Sequence, residues 1–170
     1  YLLYFTDMGR VYRTKTYNIP EAGRTAKGTP VVNIIEKSPE EKISEIIPVK
    51  EFSDNEYLVM VTKNGVIKKT PASEYESIRK SGKIAIKEGD ELISIFKTTG
   101  NDNIFLATRN GMAICFNEND ARAVGRTASG VKAIDLADGD YVVGAEPVRE
   151  DSKVLLVTDG GYGKCTDLTS

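Results

Sequence analysis

Apolar positions in this chain come in short runs that recur in phase. Four apolar residues followed by Thr, two further residues and Gly occur four times. The runs are Leu2 to Phe5 with Thr6 and Gly9, Leu58 to Val61 with Thr62 and Gly65, Ile104 to Ala107 with Thr108 and Gly111, and Val154 to Val157 with Thr158 and Gly161. The glycines stand 56, 46 and 50 residues apart. Each run is short and rich in β-branched, aliphatic and aromatic types, and a polar turn with Gly closes it. That pattern predicts a buried strand entering a hairpin turn. A second strand is expected after each Gly: Val11 to Tyr17, Val66 to Thr70, Met112 to Phe116 and Tyr162 to Cys165.

The units continue alike. Gly28, Gly82 and Gly130 precede the apolar segments Val31 to Ile35, Ile84 to Ile86 and Val131 to Ile134. A turn follows, Ser38-Pro39-Glu40-Glu41, Glu88-Gly89-Asp90 or Asp138-Gly139-Asp140, and then a further strand over Ile43 to Val49, Leu92 to Phe96 or Tyr141 to Val148. With no long helical period, this predicts an all-β, propeller-like array of four-stranded blades. The expected blades span 1–56, 57–103 and 104–152, with a partial blade over 153–170, so the ring is incomplete. An ordinary β sandwich with recurring Thr-x-x-Gly turns is the alternative. The phase shared by four turns and three further features favours the repeat.

Composition narrows the chemistry. Apolar residues make up 40% and charged residues 28% of the 170, as in a soluble globular protein, and no apolar run approaches a membrane span. The chain opens with Tyr1 inside an apolar run and carries no signal peptide, so it reads as an internal fragment. Cys115 and Cys165 lack zinc spacing and sit at equivalent places four residues after Gly111 and Gly161, which speaks against a disulfide and for a reduced, cytoplasmic setting. There is no His and no phosphate-cradling P-loop. Ser-His and Cys-His nucleophiles are therefore excluded, and no catalytic residue, metal site or cofactor site is expected in these residues.

Charge alternates once per unit although the net value is only −2. Residues 1–33 are net +3 and 34–60 net −4; 61–88 are +4 and 89–108 −2; 109–132 are +2 and 133–152 −5. Stacked units would gather the basic halves into one stripe and the acidic halves into another, the footprint of a polyanion partner. The basic halves hold three clusters beside glycines: Gly23-Arg24-Thr25-Ala26-Lys27-Gly28, Arg79-Lys80-Ser81-Gly82-Lys83 and Gly125-Arg126-Thr127-Ala128-Ser129-Gly130. Small residues let a phosphate approach the backbone while Arg and Lys supply charge. Trp is absent and aromatic residues are only 8%, so stacking on single strands is disfavoured against backbone contact with duplex DNA.

The first unit, Tyr1 to Ile35, with the Gly9-Arg10-Val11-Tyr12 hairpin, Ile19-Pro20-Glu21-Ala22 and the GRTAKG and GRTASG elements, resembles the C-terminal domain of the DNA gyrase A protein. The resemblance covers essentially the whole chain, and the corresponding domain of topoisomerase IV is similar. It implies a β-pinwheel whose blades exchange strands and whose basic rim binds, bends and wraps double-stranded DNA, in support of negative supercoiling. Carried across, the DNA-contacting candidates are Arg24, Lys27, Arg79, Lys80, Lys83 and Arg126 in the connections, with Arg10, Arg13, Lys63, Lys68, Lys69 and Arg109 as rim candidates in the hairpins. The family's glutamine-arginine-glycine box is absent from these residues and is expected just upstream of Tyr1. The DNA-cleaving tyrosine of the family belongs to another domain, so none of the eight tyrosines here takes that role. ATP and Mg2+ are expected to act elsewhere in a holoenzyme containing the rest of gyrase A together with gyrase B, in the cytoplasm on the chromosome. A protein-binding propeller is the rival from another class.

Overall fold

The computed structural model describes residues 1–149 and 151–167. Among them are thirteen strands, four 3-10 turns and no α-helix. The first unit supplies β1 (Leu2–Thr6), β2 (Arg10–Thr14) and β3 (Ile43–Pro48). The second supplies β4 (Tyr57–Thr62), β5 (Val66–Pro71), β6 (Ser81–Lys83) and β7 (Leu92–Thr98). The third supplies β8 (Asn103–Thr108), β9 (Ala113–Asn117), β10 (Val131–Lys132) and β11 (Val142–Pro147), and the last the hairpin β12 (Lys153–Val157) and β13 (Gly163–Asp167). The 3-10 turns are η1 (Thr16–Asn18), η2 (Val31–Asn33), η3 (Ala72–Tyr75) and η4 (Glu118–Asp120). Positions 168–170 of the last expected unit lie outside the described residues.

The recurring Thr-x-x-Gly has a direct structural cause. Each Thr carbonyl accepts from the Gly N–H, at 3.2, 3.0, 3.1 and 2.9 Å in chain order. Each Thr hydroxyl oxygen accepts from the N–H four residues on: Arg10, Val66, Met112 and Tyr162, at 3.1, 3.2, 3.3 and 3.2 Å. The Gly itself sits at φ of 76, 77, 85 and 81°, where a side chain is strained. Thr and Gly are thus both required by the same turn.

Sequence unit and sheet do not coincide. The sheets run β3-β1-β2-β6, β10-β5-β4-β7, β11-β8-β9 and β12-β13. The second unit's β6 therefore completes the first unit's sheet, with Tyr12 opposite Ser81 and Arg10 opposite Lys83, and the third unit's β10 completes the second. This is the strand exchange implied by the resemblance. The expected third strand is displaced: it is Ser81–Lys83, ahead of Ile84 to Ile86, and Val31–Asn33 forms a 3-10 turn. Among the described residues the first unit's segment pairs with no strand. It folds instead over Tyr4 and Tyr12, with Ile35 buried between them.

Period-two alternation directs each strand to both neighbours at once. Leu58 and Met60 of β4 pack with Leu3, Phe5 and Val11 of the first sheet, whereas Val59 and Val61 pack with Ile104 and Leu106 of the third. Each such fully buried side chain contributes roughly 1.5–3 kcal/mol. Strand β3 packs on β7, and β7 on β11. The Ser94 hydroxyl, accepting from Ala145 N at 3.1 Å, ties the second contact. The sheets consequently fan out from that side, leaving the opposite, strand-exchanged edges facing outward.

Candidate nucleic-acid interface

Strand exchange lays the second and third units' basic connections along the outward edge of the preceding sheet. Arg13 N donates to Lys80 O at 3.0 Å, which brings the Arg79-Lys80 segment onto β2. Here Asn18 of η1, residues 34–36 just after η2 and residues 79–81 enclose an open cavity of about 350 Å³ lined also by Arg13 and Lys15, with Glu36 as the sole carboxylate of its lining. The Arg13 guanidinium lies 4.2 Å from the Tyr1 ring centre and 5.0 Å from that of Phe52, and donates to Glu76 O. Lys80 approaches Glu36 at 3.6 Å, but both side chains are more than four-fifths exposed, so the pair holds little. Lys15 is a cation that sequence reasoning missed. Its only signal was membership of a basic half, and its place in the cavity depends on η2 folding back.

Two connections hold nearly the same glycine-flanked loop. In Gly23–Gly28 the Ala26 N–H closes a turn on Gly23 O at 3.0 Å, and in Gly125–Gly130 Ala128 N–H does so on Gly125 O at 3.0 Å. Arg24 and Lys27 are exposed, as are Arg79, Lys80 and Lys83. Arg126 is half-buried: its Nη1 donates to Lys83 O at 2.7 Å, directly above Gly82, where a Cβ would stand 2.7 Å from that nitrogen. Its own N–H reaches Glu74 Oε2 at 3.4 Å. Arg126 thereby links the third unit's connection to the second's.

The hairpin candidates fare differently. Lys68 and Lys69 are not on an exposed rim; each is 4% exposed. Lys68 Nζ donates to Arg126 O at 2.7 Å and Ala128 O at 3.1 Å. Lys69 Nζ pairs with Glu118 Oε2 at 2.9 Å and lies 4.4 Å from the Tyr57 ring centre. Glu118, fully buried, also accepts from Thr98 Oγ1 at 2.8 Å, Gly100 N at 2.9 Å and Asp102 N at 2.7 Å. Burial pushes its carboxyl up, but these hydrogen bonds with Lys69 outweigh it and hold the group below the usual glutamate range. Neither lysine could be placed from hairpin position alone: alternation points the two to opposite faces of β5, and on each face acceptors distant in sequence cover the side chain.

The other hairpin cations meet acidic turns. Arg10 Nε lies 3.3 Å from the buried Glu41, and Lys63 Nζ 3.4 Å from Glu91. Arg109 is exposed and stands 5.7 Å from the Tyr141 ring centre. The cause is built in. Asp90 accepts from Asn64 N, and Asp140 from Asn110 N, both at 3.0 Å, so each acidic turn docks on its own unit's hairpin turn. Desolvation raises the Asp140 carboxyl, yet hydrogen bonds from Thr108, Asn110 and Tyr141 with the Arg109 charge bring it below its usual range. The two stripes expected from sequence are therefore interleaved at the hairpin end, and the less compensated positive surface is that of the connections.

Comparison with known proteins fits this geometry. The family model described as DNA gyrase C-terminal domain, beta-propeller, matches residues 1–50, 56–99, 102–149 and 152–170. The DNA gyrase A protein of Staphylococcus epidermidis is 46% identical over 174 residues, covering 99% of this chain and 20% of that protein. Its counterpart from Haloquadratum walsbyi is 47% identical over 176 residues, covering 99% and 21%. The chain thus spans about one-fifth of the length of these relatives. Among solved structures, the C-terminal domain of DNA topoisomerase IV superposes with a TM-score of 0.91 at 32% identity, covering 99% of this chain and 53% of that one. The DNA gyrase A C-terminal domain gives 0.81 at 25% identity, covering 99% and 55%. With its repeats matched one after another along nearly its whole length, the chain belongs to the DNA gyrase C-terminal domain family.

Proposed function

We propose that this chain binds and bends duplex DNA as part of a gyrase A protein, through contacts to the phosphate backbone that do not read sequence. The observation that carries the reading is the placement of Arg24, Lys27, Arg79, Lys80 and Lys83, with Arg126 behind them, on the outward connections of consecutive sheets. A duplex touching several edges of a fan must curve. Bending a site of 20–30 base pairs by 40–90° costs on the order of 1–6 kcal/mol, which several phosphate contacts offset. In the parent protein this curvature would serve wrapping and negative supercoiling. Strand cleavage, ATP and Mg2+ belong in this reading to the rest of gyrase A and to gyrase B, in the cytoplasm on the chromosome. Among the described residues no helix is long and apolar enough to cross a membrane. A topoisomerase IV parent is the second reading, favoured by the 0.91 superposition and opposed by the 46–47% identity to gyrase A proteins.

Fluorescence anisotropy with a duplex of about 40 base pairs, titrated at several salt concentrations, tests the reading. The logarithm of affinity should fall linearly with the logarithm of salt, by roughly 0.9 per neutralised phosphate, and alike for unrelated sequences. Absence of binding at low salt, or affinity for one sequence alone, would overturn it in favour of another partner.

A further inference from the structure

Strand β5 keeps a lysine in the interior. Among the described residues no carboxylate pairs with Lys68, and burial lowers its amine to about 8, the Arg126 guanidinium pushing the same way. An interior ammonium without a counter-charge is unfavourable, and a structure retains one where it does something an apolar residue cannot. What Lys68 does is hold two carbonyls, those of Arg126 and Ala128, both in the Gly125–Gly130 loop. In that loop Arg126 N donates to Glu74 and Ala128 N to Gly125 O. Thr127 and Ser129 are both exposed, and their N–H groups have no acceptor among the described residues. Alternate carbonyls are thus drawn onto the lysine while the intervening amides stay free. Free backbone amides at a turn are donors that an anion can accept.

We infer that Lys68 is a positioning residue for DNA binding: by holding the Arg126 and Ala128 carbonyls it presents the Thr127 and Ser129 amides to a single backbone phosphate. The role rests on the DNA reading above. Lys68 never touches the duplex itself. The charged neighbour acting on it is Arg126 from the connection, and Glu74 and Tyr75 of η3 face that residue from the second unit. Burial raises the Tyr75 phenol, so it does not titrate near neutrality.

Two measurements on the full chain decide the matter. In the anisotropy salt series, Lys68→Met should bind about tenfold more weakly at every salt concentration with an unchanged salt slope, since no cation leaves the interface. Arg24→Ala, by contrast, should lower the slope by roughly 0.9. Unchanged affinity in Lys68→Met would overturn the role, and a slope reduced by roughly 0.9 would do so too, by making Lys68 a direct contact. Failure of the unaltered chain to bind any duplex would remove the DNA reading and this role with it. The second measurement needs no variant and stands if Lys68→Met does not fold. In amide NMR of the unaltered chain, Thr127 and Ser129 should shift with a midpoint near pH 8 and on addition of duplex, while Thr25 and Lys27 show no such titration. Thr127 and Ser129 signals indifferent to both pH and duplex would overturn the inference.

Discussion

The loops Gly23–Gly28 and Gly125–Gly130 share five of six residues, differing at Lys27 against Ser129, and close the same turn with the same bond length. Their surroundings are nevertheless opposite. Every residue from 21 to 30 is exposed, and neither Gly23 nor Gly28 has an atom within 4 Å of where a Cβ would lie. The later loop is gripped by Lys68 from below and Glu74 from the side, and Arg126 reaches on to Lys83. Gly28 sits at φ 73°, whereas Gly130 is needed because its backbone lies against Ile67 O, with Val66 2.7 Å from the Cβ position. One hexapeptide pattern thus serves as a free basic loop in one place and as an anchored one in another. Among the described residues, the later loop lies along the second sheet and the earlier one lies along none.

The contrast can be probed by removing support on the anchored side. The largest effect is expected from Glu118→Ala, which leaves Lys69 charged and unpaired in the interior between the second and third sheets. Breaking a buried pair in this way should cost about 4 kcal/mol in urea unfolding. Next comes Gly130→Ala, whose Cβ would strike the Ile67 carbonyl. A clash with backbone in a packed edge should cost about 3 kcal/mol. The matching Gly28→Ala meets no atom and should cost only the left-handed strain of roughly 1 kcal/mol. Equal losses at the two glycines would show that the loops are not differently held.

Proton linkage marks the same anchored side from both ends of the pH scale. The Glu118 carboxyl is lowered in the folded chain, so its stabilisation is complete above the ordinary value of 4.5 and is lost as pH falls through the folded one. Unfolding below that value should be shallower in Glu118→Gln. Lys68, whose amine is lowered as well, works in the same direction at the alkaline end. Between about 8 and the ordinary 10.5 the folded chain binds fewer protons than the unfolded chain, so stability should rise with pH across that window. Lys68→Met should abolish the rise. The smallest effect is expected from Asp138→Lys on DNA affinity, since Asp138 is exposed, whereas Asp140→Lys removes the acceptor of Asn110 N and should loosen the third hairpin.

Much of the fold was legible in the chain because its causes are local. Thr and Gly of each hairpin satisfy one turn, the alternation of Leu58 to Val61 sends residues to two neighbouring sheets, and the glycine-flanked clusters mark the connections. Site residues were less legible. Arg24, Lys27, Arg79 and Lys80 lie exposed, as their position between strands suggests, and Lys83 is exposed at the end of the short strand β6. Lys68 and Lys69 look the same in sequence as any basic pair after a hairpin, yet both are interior. Their acceptors, Arg126 O, Ala128 O and Glu118, come from the next unit, 58, 60 and 49 residues on.

Strand periodicity, turn chemistry and the repeat were determined by the sequence by itself, because each depends on residues within a few positions of one another. Which strand completes which sheet, which cations are spent on carbonyls and carboxylates, and which loop stands free were decided only by tertiary structure. Those outcomes depend on contacts between units, where the exchange of β6 and β10 carries a connection onto its predecessor's edge and sets acceptors beside side chains that the linear sequence keeps far apart.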